Sequence, residues 1–258
     1  MAWVYADRTD RRSGVLEHLR TGITRRERLF YTADAGRDAL LDDLRGLVDD
    51  PLRLADTGQL VVCPLDECFR RLDGMAQVDA CASITAAALA DGWAGLRMVA
   101  DVTPLCCDGA DQDTFLDAEL RVGEWMATSA MTGLCLFDER RLGGSGCELT
   151  CTHSHGWHRD ACFGVRLVDG VVRIEGELDA SVAPPFARVL EVALRAAADE
   201  VAIDASGVVF ADLTACRTLD AVLAAARAGG RAVEVREVSA PLARASELAG
   251  RPLVSSTA

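Results

Sequence analysis

The sequence predicts an α/β protein of two units, and three observations carry that prediction. Strand-like apolar runs alternate with helix-period runs along most of the chain, the pattern of sheets covered by helices. The 258 residues suffice for two domains of ordinary size. One polar, Cys- and His-rich connector at 143–163 interrupts the alternation, which sets the expected domains at 1–155 and 156–258.

The elements follow in order. Residues 15–29 place Leu16, Leu19 and Ile23 on one helical face, with His18 on the solvated side. LFYTAD (29–34) reads as the first strand and GRDALLDDLRGLV (36–48) as a helix. GQLVVCPL (58–65) is the next strand, and a helix from Val78 to Ala90 stops at Gly92. RMVADVT (97–103) is the third strand, Gln112 to Met126 a helix, and TGLCLFDERRL (132–142) carries the fourth strand. Beyond the connector come strands at 163–168 and 172–178, then a helix over 184–197 opened by Pro184–Pro185, where a first turn tolerates proline. A strand at 201–204 runs into a tight loop at Asp204–Gly207. A helix over 213–228, a strand over 232–238 and a helix over 240–249 complete the chain.

Composition narrows the function. Half the residues are hydrophobic and 26% are charged, as in globular chains. No apolar run is long enough to span a bilayer, and the N-terminus lacks the apolar core of a signal peptide, so a cytoplasmic protein without a membrane span is expected. The net charge is −13, with 28 acids against 18 arginines in residues 1–171 and 12 against 9 in residues 172–258. Such a chain repels phosphate backbones, which argues against nucleic-acid partners. Every basic residue is arginine, so chemistry that needs a lysine Schiff base or a P-loop lysine is excluded. Ten cysteines in a cytoplasmic chain are expected as buried thiols, or as metal or redox groups, rather than as structural disulfides.

The segment from Val172 to Arg227 resembles a STAS domain, the module of bacterial anti-sigma-factor antagonists. The resemblance rests on VVRIEGELDASVAPPF with its Gly176 and Asp179, and on Phe210-Ala211-Asp212-Leu213-Thr214-Ala215-Cys216. It implies a protein partner, an anti-sigma factor or its serine kinase, bound on a surface around Asp179, Asp212 and Thr214. It also implies a phosphorylatable Ser or Thr directly after the acidic residue, and here that position is Leu213. Thr214 is the nearest hydroxyl and the candidate phosphorylation site, although one residue along a helix turns a side chain by about 100°. The competing role for Thr214 is to cap the helix.

The first unit carries a second resemblance. LRTGITRRERLFYTAD, GQLVV, ADGWAGLRMVADVT and GLCLFDERRL follow in order the blocks of the MEDS domain, a sensory domain of methanogen and methylotroph regulators. That implies a RecA/KaiC-like parallel-sheet fold. An active ATPase of this type carries a Gly-rich phosphate loop after the strand. Here LFYTAD is followed by Ala35-Gly36-Arg37-Asp38, with one glycine, no lysine, and Asp34 and Asp38 where phosphate would sit. The domain is therefore expected to lack a P-loop and the protein to be no enzyme. No Ser/His/Asp or Cys/His catalytic set is readable.

Three further groups were candidates for an input. Cys147, Cys151, His153, His155, His158 and Cys162 lie within 16 residues, at spacings open to zinc, an iron–sulfur cluster or a polar linker. No cofactor is expected on the leading reading; a metal- or thiol-dependent sensor at 147–162 is the alternative. Cys106–Cys107 follow a strand end, as core fillers or as a redox pair. Trp93, Trp125, Met98, Met126 and Met131 are core residues or the lining for a small hydrophobic ligand. The oligomeric state is left open between monomer and homodimer.

Overall fold

A computed structural model describes residues 1–69, 74–106, 112–143, 146–154, 156–157 and 163–253. The chain forms two compact units, Met1–Ala118 with Trp125–Gly144, and Glu119–Glu124 with Ser145–Ala258. No helix among the described residues is long and apolar enough to cross a membrane.

The first unit opens on a strand the sequence did not announce, β1 (Ala2–Tyr5). Its four residues are too few to show an alternation. Then come α1 (Arg8–Thr24), β2 (Arg28–Ala33), α2 (Arg37–Asp43), α3 (Pro51–Asp56), β3 (Leu60–Pro64), α4 (Leu65–Cys68), α5 (Gly74–Ala90), β4 (Leu96–Asp101), α6 (Thr103–Cys106), α7 (Gln112–Met126), β5 (Met131–Asp138) and α8 (Glu139–Leu142). The strands of this unit lie in the order β3-β2-β4-β5-β1, every pair parallel. β2 and β4 are buried almost throughout, as parallel strands covered on both faces must be. With β1 in place, the first strand-to-helix connection is only Ala6–Asp7, and the next, after β2, is Asp34–Gly36. Neither holds more than one glycine. Asp34 and Asp38 are exposed.

Helix α1 shows how the core is made. Asp7 caps it, its Oδ1 accepting from Thr9 N at 2.8 Å and Asp10 N at 2.9 Å. A Cβ on Gly14 would stand 2.7 Å from Trp3, and one on Gly22 would stand 2.5 Å from Leu29. The two glycines thus let the helix lie directly on the sheet. Its buried face is Gly14, Val15, His18, Leu19 and Gly22, whereas Leu16 and Ile23 are only half-buried. The expected solvated position for His18 is therefore corrected: the ring is buried and its Nε2 has no hydrogen-bond partner among the described residues. Burial, reinforced by the Arg97 guanidinium, holds the imidazole neutral, with its pKa lowered to about 3.

This has a pH consequence. The unfolded chain protonates His18 near its ordinary value of 6.5 while the folded chain does not, so stability falls as pH drops below that value, by up to about 1.4 kcal/mol per pH unit. His18→Leu removes this slope. Between pH 7 and pH 5 the variant is expected to lose about 2 kcal/mol less than the parent in urea titrations. Equal losses in the two proteins would refute the assignment of the slope to His18.

The predicted helix over 36–48 is shorter than expected. α2 stops at Asp43, and Gly46, at φ 75°, turns the chain toward the Pro-opened α3. Against expectation, Cys63 and Cys68 are joined by a disulfide across the turn from β3 into α4. Pro64 ends the strand between them, so the two side chains meet over a span too local for composition to reveal.

The second unit contains α9 (Gly146–Thr150), in what the sequence presented as connector, the short β6 (Gly156–Trp157), β7 (Phe163–Val168), β8 (Val171–Leu178), α10 (Ala183–Ala196), β9 (Glu200–Ala211), α11 (Leu213–Ala228), β10 (Ala232–Val238) and α12 (Ala240–Leu248). Its sheet runs β10-β9-β8-β7. Only β7–β8 is antiparallel; Asp169 and Gly170, both at positive φ, form the two-residue turn that closes this hairpin. Phe186 of α10 meets Phe163 of β7 edge-to-face, with centroids 5.7 Å apart, in a core completed by Val172, Ile174, Ile203, Leu219 and Leu242.

The Asp204–Gly207 stretch is a second correction. It is no loop, because β9 runs unbroken from Glu200 to Ala211. Asp204 Oδ1 accepts from Ser206 N at 3.0 Å and Ser206 Oγ at 2.6 Å. The register against β8 shifts there, with Arg173 opposite Asp204 but Glu175 opposite Gly207. Turn chemistry has made a β-bulge instead of a turn. The register shifts again between Gly176↔Val208 and Glu177↔Phe210. The extra residue is Val209, and as a result Val209 and Phe210 both face outward.

Candidate functional site

The candidate interaction site lies where β8 and β9 empty into helices. β9 ends at Ala211, and Asp212 caps α11: its Oδ1 accepts from Ala215 N and its Oδ2 from Ala180 N, each at 2.8 Å. One carboxylate thus secures the start of the helix and the turn after β8 together. Asp179 shapes that turn, its Oδ1 accepting from Ser181 N at 2.8 Å, Ser181 Oγ at 2.5 Å and Val182 N at 3.3 Å. These bonds, the Ser181 hydroxyl first, hold the Asp179 carboxyl below its ordinary range. Behind them Cys216 is buried, and burial followed by the charge of Asp212 raises its thiol pKa.

Around these acids the surface is apolar. Val209 is 64% exposed, Phe210 49% and Leu213 42%, three of the few large hydrophobic side chains left in solvent. Leu213 and Thr214 occupy the first turn of α11, and both are exposed. Asp212 performs the capping that was the competing role for Thr214, and the Thr214 hydroxyl has no partner among the described residues. The structure therefore brings Asp179, Asp212 and Thr214 to one surface. It adds Val209 and Phe210, which sequence reasoning missed because the second bulge has no sequence signal.

In the first unit the polar groups gather at the C-terminal ends of the strands, where parallel sheets place their ligands. Arg11 of α1 reaches Asp43 Oδ2 at 2.6 Å, the Tyr31 hydroxyl at 2.8 Å and Asp101 Oδ2 at 3.1 Å. Tyr5 donates to Asp101 Oδ2 at 2.9 Å, and Tyr31 donates to Asp43. Thr103 donates to Asp101 Oδ1 and accepts from Asp138 N, each at 2.9 Å. Burial raises both tyrosine pKa values, as do their carboxylate neighbours. The Tyr31 hydrogen bond and Arg11 lower that of Asp43 against the opposing effect of burial. The signal available in sequence was only RMVADVT; the partners come from five other elements.

The other input candidates are placed as follows. Cys151 is buried and its thiol lies 3.2 Å from the Glu148 carbonyl, while His153 Nε2 is 2.9 Å from a Glu119 carboxylate oxygen. Cys147 lies in α9. Its side chain, together with His155, His158 and Cys162, lies outside the described residues, as does Cys107. Cys106 is buried, within 3.5 Å of the Val102 and Thr103 carbonyls. Met98 and Met131 are buried core residues, and Met126 and Met131 both close on the face of Gly133. Trp93 and Trp125 are half-buried, with the Arg28 guanidinium 6.0 Å from a Trp93 ring centroid.

The chain is an α/β protein of two units, a parallel-sheet unit followed by a unit with a mixed four-stranded sheet. The family described as "MEDS: MEthanogen/methylotroph, DcmR Sensory domain" matches residues 1–154, and the chain belongs to it. The family described as "Mlab, STAS domain" matches residues 164–251. None of the curated proteins compared matches the chain.

Proposed function

We propose that this protein is a cytoplasmic, non-enzymatic signalling regulator of the anti-sigma-factor-antagonist type. The MEDS domain takes an input, a small ligand or a redox or metal signal, and sets the availability of the STAS surface at the start of α11. That surface binds an anti-sigma factor or its serine kinase. The observation that carries this reading is the exposed apolar set Val209, Phe210 and Leu213 grouped with Asp179, Asp212 and Thr214. Apolar side chains rimmed by polar groups at a helix start mark a docking surface more often than a solvated one.

Leu213 has no hydroxyl, so control is exerted through the first domain unless Thr214 accepts the phosphate. Phosphate on Thr214 would add close to two negative charges beside Asp212 and the apolar set, enough to break an apolar contact.

Affinity capture with the tagged full-length chain from its own cells, across nutrient states, tests the reading. Recovery of an anti-sigma-type protein or serine kinase is expected, and its absence in every state would sink the idea. Phosphopeptide mapping with the recovered kinase and ATP then separates the two modes of control. A phosphate on Thr214 supports direct modification; none anywhere supports control by the MEDS domain.

A further inference from the structure

We propose that Cys63 and Cys68 form a reversible thiol–disulfide site in the first unit, exchanging with small disulfides of the glutathione class. The two residues are five apart in sequence with Cα atoms 6.4 Å apart, one in β3 and the other closing α4. That separation suits a disulfide.

Two features favour a reversible couple over a permanent staple. The bridge closes a very short loop, so it removes less freedom from the unfolded chain than a disulfide across a long loop would. The surroundings do not need it: Leu60, Val62, Leu65 and Phe69 are already buried around the turn. Both cysteines are half-buried and so within reach of a solute, as is Cys135, whereas Cys81, Cys106, Cys151 and Cys216 are buried.

Arg37 donates to the Val62 carbonyl at 3.2 Å and reaches Glu67 Oε2 at 3.4 Å. These are the residues immediately before Cys63 and Cys68, so Arg37 braces the two ends of the segment that the bridge closes. The thiolate is the form that attacks. The pair stands at the C-terminal end of β3, the edge of a parallel sheet where ligands are received.

The exchange is balanced. One thiolate attacks the small disulfide, forms a mixed disulfide and expels a thiolate. The second cysteine, deprotonated, attacks the protein-side sulfur and expels the other thiolate. Two electrons pass from the cysteine pair to the oxidant, and two protons leave the cysteines and protonate the expelled thiolates. The site stands independently of the partner-binding reading.

The test uses the full-length protein equilibrated in glutathione buffers of graded oxidised-to-reduced composition, then acid-quenched, alkylated and cut with trypsin. Peptide 54–70 carries both cysteines and no others. It is expected to pass from doubly alkylated to internally bridged, the bridged-to-reduced ratio rising tenfold for each tenfold rise in [GSSG]/[GSH]². In Cys63→Ser, Cys68 is expected to carry one glutathione. Double alkylation at every composition, a bridge that survives excess dithiothreitol, or a link from either cysteine to another peptide would each overturn the assignment.

Discussion

Arg11→Met is expected to destabilise the first unit by about 3–5 kcal/mol, the cost of leaving buried carboxylates without their cation. Arg11 touches Asp43, Asp101 and Tyr31 together, and it ties α1 to α2, β2 and β4 through contacts 20 to 90 residues apart in sequence. Arg11→Lys keeps the charge but loses the forked geometry, and should fall between parent and Met variant. The same network sets an acid limit. The folded-state pKa of Asp43 is depressed, so its contribution is present above the unfolded carboxyl value and is lost as pH falls through the folded one. In Arg11→Met that part of the acid sensitivity should shrink. Urea unfolding followed by tryptophan fluorescence reads the effect, since Trp3, Trp93 and Trp125 lie in the first unit. A loss below about 1 kcal/mol would show that the network is not what fastens α1.

The second large effect concerns the STAS surface. Phe210→Asp is expected to weaken binding of the captured partner by about 100-fold or more, the range for an apolar anchor at the centre of an interface. Stability should change by no more than about 0.5 kcal/mol, because the side chain is exposed in the free protein. Leu213→Asp should act in the same direction. Leu248→Asp, on the exposed face of α12, is the matched control and should leave affinity unchanged. Titration calorimetry with the recovered partner distinguishes them. Unaltered affinity in a folded Phe210→Asp protein would remove the apolar set from the interface.

The acidic half of this site was legible and the apolar half was not. Asp179 and Asp212 sit at strand exits where short-range turn and cap chemistry dictates an acid, so their places follow from neighbours two or three residues away. Thr214 was locatable but its freedom was not: whether it or Asp212 caps α11 depends on side-chain geometry. Val209 and Phe210 lie beyond the strand at 201–204 and the loop at Asp204–Gly207 that the sequence predicts, so no alternation assigned either side chain a face. Only pairing with β8 inserts the extra residue that turns both outward.

The sequence by itself determined the α/β class, the order of most helices and strands, the division into MEDS and STAS regions and the missing phosphate loop. All of these are written in local periodicity, breakers and blocks of residues. The tertiary structure alone decided the opening strand β1, the burial of His18, the Cys63–Cys68 bond, the Arg11 network and the outward turn of Val209 and Phe210. The physical reason is common to them. Each depends on which element lies beside which, through sheet order, helix approach at Gly14 and Gly22, or strand register, and local patterns do not encode neighbours that are distant along the chain.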